Sequence, residues 1–274
     1  MSQISPMPTR SLSGKVIDVL SAFRADRPEL TLSEISRRSG LPLTTAHRVV
    51  RELADRGMLE RSAAGSYHIG LLLWEIASLA PRGLRLREIS LPYMEDLCQA
   101  THENVQLAVR EGAELVFIER LAGRDAVPVL TRVGGRFALH ATGVGLVLLA
   151  YAPAEVQEQV LDGPLESWTP QTITSQPQLR RILADVRHHG YSVSDRQVTM
   201  DSLSVAVPVR AAGDEVIAAL SIVVHHHGAE PRTLVPAVSA AARGISRSLG
   251  APSASLGTWA PRSLRRPGPA GGQA

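Results

Sequence analysis

The chain has 274 residues, enough at about 150 residues per domain for two domains that each bury a core. A composition of 44% apolar and 20% charged residues is that of an ordinary globular protein, which excludes a collagen-like or wholly disordered chain, and no run of about 18 apolar residues is present to form a membrane span. The net charge of +3 is unevenly spread: residues 1–61 carry ten cations against seven acids, residues 62–250 sixteen against nineteen, and the last 24 residues three Arg without an acid.

In chain order, Leu12, Val16, Val19, Leu20 and Phe23 recur at helical spacing after Ser11, predicting a first helix that Arg27-Pro28 breaks. Thr31-Leu32-Ser33-Glu34 has the form of a capping box and opens a second helix that Gly40 ends. After Leu41-Pro42 a third helix follows, with Ala46, Val49, Val50 and Leu53 inside and Thr44, Arg48 and Arg51 outside, stopping at Gly57. Met58–Arg61 and Tyr67–Ile69 read as two short strands around a turn. Three helices and a hairpin make a winged helix-turn-helix. The segment Leu71–Leu79 is apolar on nearly every face and is expected to pack against a second subunit; Pro81-Arg82-Gly83 breaks it before a helix over 85–100.

Alternation then takes over. Strands are expected over 105–109, 115–118, 127–133, 191–195, 205–209 and 216–224, and helices over 154–162, 176–189 and 232–249, an α+β pattern. From Ala251 the chain is rich in Pro, Gly, Ser and Arg, and a disordered tail is expected over 251–274, as over residues 1–9. The resulting division is a DNA-binding domain over 10–72, then a linker helix and an α+β domain over 73–250. The start MSQISPMPTR has no secretory pattern, which makes the cytoplasm the expected compartment, and the single Cys98 fits a reducing one.

The segment GLPLTTAHRVVRELADRGMLER joins a turn, an amphipathic helix with hydroxyl residues at its start, and cations on its solvent face. Thr44, Thr45 and His47 sit where a recognition helix enters the major groove; Arg48 can fork onto guanine; Arg51 and Arg61 suit backbone phosphates. Enzymatic signatures are missing: there is no P-loop, no G-x-S-x-G, no H-E-x-x-H and no C-x-x-C. Gly143-Val144-Gly145 lacks the third glycine of a dinucleotide fingerprint and reads as close packing or access to a small ligand. His225-His226-His227 alternate across a strand and read as a polar strand end, and Cys98 reads as a structural thiol. No catalytic residue, cofactor or metal is therefore expected. The rival readings are an enzyme that uses the α+β pocket, its N-terminal unit only regulatory, and a basic protein–protein adaptor.

Ordered motifs run from Ser11 to Leu249: TLSEISRRSGLPxTTAHR, YHIG, LREI, RVGGRFALHATGVG, WTPQTIT, HHGYSV, and AVPVR followed by VIAALSI. By these the chain resembles the IclR family of bacterial transcriptional regulators. The resemblance implies a winged helix-turn-helix, a helical linker and a GAF-like effector-binding domain, acting as a homodimer or homotetramer on double-stranded operator DNA, with repression the favoured direction. It also implies a small organic effector held by Val129, Phe137, Gly143, Val144, Ser194, Ser204, Ser221 and Val223. Where the family often carries an acid this chain has Ser194, and where it often carries Lys it has Leu146. With Leu146, Val144, Val129, Val223 and Phe137 as walls, the expected effector is less anionic than a simple small carboxylate.

Overall fold

A computed structural model describes residues 11–255 apart from 25, 81, 82 and 125. They form two compact units that divide between Leu84 and Arg85.

The first unit contains α1 (Leu12–Leu20), α2 (Leu32–Ser39), α3 (Leu43–Asp55), β1 (Leu59–Arg61), β2 (Tyr67–Ile69) and α4 (Leu71–Ser78). Ser11 caps α1 by accepting from the Gly14 N–H. α1 ends at Leu20, earlier than the apolar spacing predicts, because Ala22 and Phe23 donate three residues back and Arg24 then bridges Arg27. At α2 the Thr31 hydroxyl accepts from Glu34 N–H at 3.3 Å while the Glu34 carboxylate accepts from Thr31 N–H at 2.8 Å. Gly40 closes the helix at φ 64°, a left-handed conformation that a side chain would strain. Thr31→Ala is expected to cost about 1 kcal/mol, measured as a lower urea midpoint. An unchanged midpoint would mean that burial of Leu30 and Ile35 alone fixes the start of α2.

Val19, Leu30, Ile35, Ala46, Val49, Val50 and Leu59 make one core under these helices and β1. β1 and β2 pair antiparallel with Glu60 opposite His68, and Leu30 adds a bridge to Tyr67. The result is the winged helix-turn-helix arrangement expected.

The second unit holds α5 (Leu84–Thr101), β3 (Asn104–Glu111), β4 (Glu114–Leu121), β5 (Arg136–Ala138), α6 (Gly143–Ala150), α7 (Ala154–Asp162), α8 (Gln176–His189), β6 (Ser192–Asp195), β7 (Ser202–Arg210), β8 (Val216–His225), α9 (Pro231–Ser248) and α10 (Pro252–Ser255). Its strands form one antiparallel sheet in the order β5-β4-β3-β8-β7-β6. Helices lie on both faces, the GAF-like α+β architecture.

Because neighbouring side chains on a strand point to opposite faces, the sheet has two characters. Val105, Leu107, Val205, Val207, Leu220 and Ile222 face α5 and α9 in one continuous core. On the other face Ala108, Ala206 and Ala219 lie in the core that contains Val144 and Leu146–Ala150 of α6 and parts of α7 and α8. Further along the same strands that face becomes polar: Gln106 stands opposite Ser221, and Ser194 opposite Ser204. This polar end faces the N-terminus of α6.

Three expectations fail here. Residues 127–133 are not a strand but a strap of irregular chain; β4 already pairs with β5 over 136–138, and Phe117 takes the backbone of Gly134 and Gly135. α6 was not expected, since all eight of its residues are buried and no polar face marks the helical period. The chain is also ordered beyond Ala251, which is 1% exposed and leads into α10. Residues 1–9 and 256–274, expected to be disordered, lie outside the described residues.

Candidate functional site

In the first unit the burial of Ala46, Val49, Val50 and Leu53 turns the opposite side of α3 outward. Thr44, His47, Arg48 and Arg51 are exposed on it and Thr45 is half-buried. Pro42 precedes the helix and offers no side-chain acceptor, so the first N–H groups of α3 are uncapped beside Thr44 and Thr45. Arg51 lies 3.8 Å from Asp55, an exposed pair that water screens. Arg61, on β1, rests its guanidinium 5.8 Å from the Tyr67 ring. The six residues read as DNA contacts thus divide into five along α3 and one at the hairpin.

The hairpin is tied to α4. Gly70 precedes α4 without a side chain to cap it, and the Glu60 carboxylate accepts from Leu71 N–H at 3.0 Å instead. That bond, with His68 at 3.3 Å, holds the Glu60 carboxyl below its ordinary pKa. A Cβ at Gly70 would stand 2.2 Å from the Gly57 carbonyl oxygen, so only glycine allows this crossing. α4 buries none of its residues within the chain: Leu71, Trp74 and Ile76 are 62%, 60% and 51% exposed.

In the second unit a small cleft, partly open to solvent, lies over the polar end of the sheet. Of the residues assigned to the effector, Val129, Gly143, Val144, Ser194, Ser204 and Val223 line it. Phe137 and Ser221 do not. Phe137 packs on Trp168 with ring centroids 4.9 Å apart, and Ser221 is wholly buried beneath the cleft face with an unpartnered hydroxyl. Leu146, expected as a wall, is 0% exposed in the core around α6. The sequence reading missed Gln106, Leu130, Thr131 and Thr142, along with Val198, Thr199 and Ser202. Gln106 and Ser202 carried a signal, polar residues on the face shared with Ser204 and Ser221; the others stand on loops and a cap, where alternation says nothing.

Among the described residues, no side chain lining the cleft is charged. Its polarity comes from hydroxyls, one carboxamide and the start of α6. Thr142 caps α6 by accepting from Gly145 N–H at 3.0 Å, which leaves the first two N–H groups without a partner inside the helix. Ser192 and Ser194 donate to the carbonyls of Gly143 and Ala141 at 2.7 and 3.2 Å, so they fasten this helix end to β6. Ser194 therefore has its proton committed and can meet a ligand only as an acceptor. Elsewhere, burial pushes the Cys98 thiol pKa up, and no group of three His, Cys, Asp or Glu among the described residues is placed to hold a metal.

Comparison with known proteins settles the relationship. Residues 14–63 match the IclR helix-turn-helix domain and residues 80–247 the bacterial transcriptional regulator IclR C-terminal domain. The chain belongs to the IclR family. The HTH-type transcriptional regulator KipR of Bacillus subtilis (strain 168) is 32% identical over 197 residues, 72% of this chain and 79% of KipR. The HTH-type transcriptional repressor AllR of Klebsiella pneumoniae is 31% identical over 208 residues, 75% and 76% of the two chains. A crystal structure of an IclR homologue from Microbacterium hydrocarbonoxydans complexed with 4-hydroxybenzoate is 43% identical, covers 87% of this chain and 99% of its own, and superposes with a TM-score of 0.83. The protein is accordingly an IclR-type helix-turn-helix transcriptional regulator with a C-terminal ligand-binding domain.

Proposed function

We propose that the protein binds operator DNA in the cytoplasm as a homodimer or homotetramer, acts as a repressor, and changes operator affinity when a small organic effector fills the cleft over β3, β7 and β8. Residues 10–72 are the DNA reader and 73–250 the linker helix and effector domain. The observation that carries the DNA half is the exposed outward face of α3; on this reading Thr44, Thr45, His47 and Arg48 meet base edges, while Arg51 and, on β1, Arg61 meet phosphates. Arg48→Ala is expected to cost about 1–3 kcal/mol and relax choice at one operator position, whereas Arg51→Ala weakens all sequences alike and flattens the salt dependence. Mobility shifts at fixed salt, using the DNA upstream of the protein's own and neighbouring genes, measure both. Salt-independent binding, or none, would sink the reading in favour of an adaptor.

For the effector, the uncharged lining is the decisive feature. Val129, Val144 and Val223 offer apolar walls, and the start of α6, whose first two N–H groups have no partner inside the helix, offers donors and the positive end of a helix dipole. Such a cleft accepts one negative charge at the α6 end and disfavours a second elsewhere. The effector class is thus a small, mostly apolar molecule with at most one carboxylate and one or two neutral polar groups. 4-Hydroxybenzoate, bound by the Microbacterium homologue, fits this class. On this reading the protein is not an enzyme, and the described lining residues, which include no carboxylate, imidazole or amine to act as acid or base, support it. Adding 4-hydroxybenzoate to the mobility-shift assay tests the effector half; a shift indifferent to it and to related monocarboxylates would place the ligand class elsewhere.

A further inference from the structure

The strap from Val127 to Val133 lines the cleft with Val129, Leu130 and Thr131, and two carboxamides of β3 hold it to the sheet. Asn104, 0% exposed, donates from Nδ2 to the Val127 carbonyl at 2.7 Å, while its Oδ1 accepts from Arg120 at 3.3 Å. Gln106, 4% exposed, donates from Nε2 to the Thr131 hydroxyl at 2.7 Å. At the far end Gly134 and Phe117 exchange the strap for the edge of β4.

The two bonds differ in kind. Asn104 and Val127 lie away from the cleft lining, and their bond runs to a backbone carbonyl that any residue would supply. Gln106 and Thr131 both line the cleft, and their bond joins two side chains that can each rotate to another partner. Opposite Gln106 in the strand register stands Ser221, whose buried hydroxyl has no partner, so a neutral donor or acceptor is held ready next to the exchangeable pair. The α6 start and Gln106 are thus two polar points of one cleft.

We propose that the Gln106–Thr131 bond is a latch that holds the strap at the cleft until a ligand enters, and that Gln106 selects effectors by taking a neutral hydroxyl or carbonyl of the ligand. Asn104 is the permanent anchor about which the strap yields. On ligand entry the carboxamide turns from Thr131 to the ligand, one hydrogen bond replaces another, and the free strap settles Val129 and Leu130 on the ligand body. The selection half rests on the effector reading above; the latch half does not.

Two measurements on the full-length protein separate the halves. Trypsin cleavage after Arg132, which is exposed on the strap, reports opening in the absence of any ligand. Thr131→Val keeps the shape and removes the hydroxyl, and is expected to speed that cleavage by about two- to ten-fold, the range that one neutral hydrogen bond supports. Cleavage at the wild-type rate would overturn the latch. Calorimetry with 4-hydroxybenzoate and benzoate reports selection: the wild-type protein is expected to prefer the hydroxylated compound by about ten-fold, and Gln106→Leu to bind both alike. A preference that survives in Gln106→Leu would overturn selection by Gln106. If neither compound binds the wild-type protein, the ligand class and the selection fall together, and the cleavage rate of Thr131→Val alone judges the latch.

Discussion

Replacing Trp74 and Ile76 together by Glu is expected to leave the protein monomeric at micromolar concentration and to weaken operator binding by a factor on the order of 10² to 10⁴. The expectation starts from α4, none of whose residues is fully buried within its own chain and of which Leu71, Trp74 and Ile76 are more than half exposed. Each such side chain, fully buried against a partner, contributes about 1.5–3 kcal/mol; left in water it contributes nothing. A second copy of α4 is the occupant with matching chemistry, and a two-fold pair of recognition helices is what a palindromic operator requires. Two carboxylates from each chain in that contact would have to be desolvated without a partner, which a dimer cannot tolerate. The affinity loss follows because a single α3 reads only a few base pairs, and the second helix binds at high effective concentration only while the chains are joined. Light scattering and mobility shifts check the two halves of the expectation. An unchanged dimer would remove α4 from the interface.

The second large effect is expected at Gly145. On intrinsic propensity alone, Ala should stabilise a helix by about 1 kcal/mol relative to Gly. Here a Cβ would stand 2.3 Å from the Leu139 carbonyl oxygen and 2.7 Å from the Thr142 hydroxyl that caps α6. Backbone cannot step aside as the end of a flexible side chain can, and all eight residues of α6 are buried, so the helix has no free direction in which to move. Gly145→Ala is therefore expected to destabilise the second unit by about 3 kcal/mol, the upper end of the usual overpacking range, and to abolish ligand binding by displacing the N–H groups at the start of α6. Gly213→Ala is the control, because nothing lies within 4 Å of the added carbon. Calorimetric unfolding of the three proteins decides it, and equal midpoints for both variants would show that the Leu139 segment gives way.

What could be read from the residues alone follows from how far each signal reaches. Ser11, the Thr31–Glu34 box and Gly40 act within four residues of themselves, and the reader helices appear in the structure close to where these signals put them. Strands β3, β4, β7 and β8 announce themselves by alternation. α6 does not, because GVGLVLLA is apolar at every position and a helix buried on all sides has no period to detect. The strap misled for the opposite reason: VPVLTRV alternates like a strand, but Pro128 lacks an N–H and β5 already occupies the edge of β4. As to the cleft, the resemblance to the family named Val129, Gly143, Val144, Ser194, Ser204 and Val223, which do line it. Gln106 and Thr131 went unnamed, since a contact between a strand and a loop 25 positions later is a property of the folded chain.

The alternation of the sheet has an evolutionary consequence. Along β7 the residues Leu203, Val205 and Val207 serve the core beneath α5 and α9, while Ser202 and Ser204, interleaved with them, face the cleft. Architecture and chemical preference are therefore written on alternate letters of one stretch of chain. A change at a cleft letter alters what the domain senses without touching the residues that hold the sheet together, and a change at a core letter does the reverse. Such a domain can be retuned to new metabolites one substitution at a time, each intermediate still folded, while the DNA-reading unit keeps its operators.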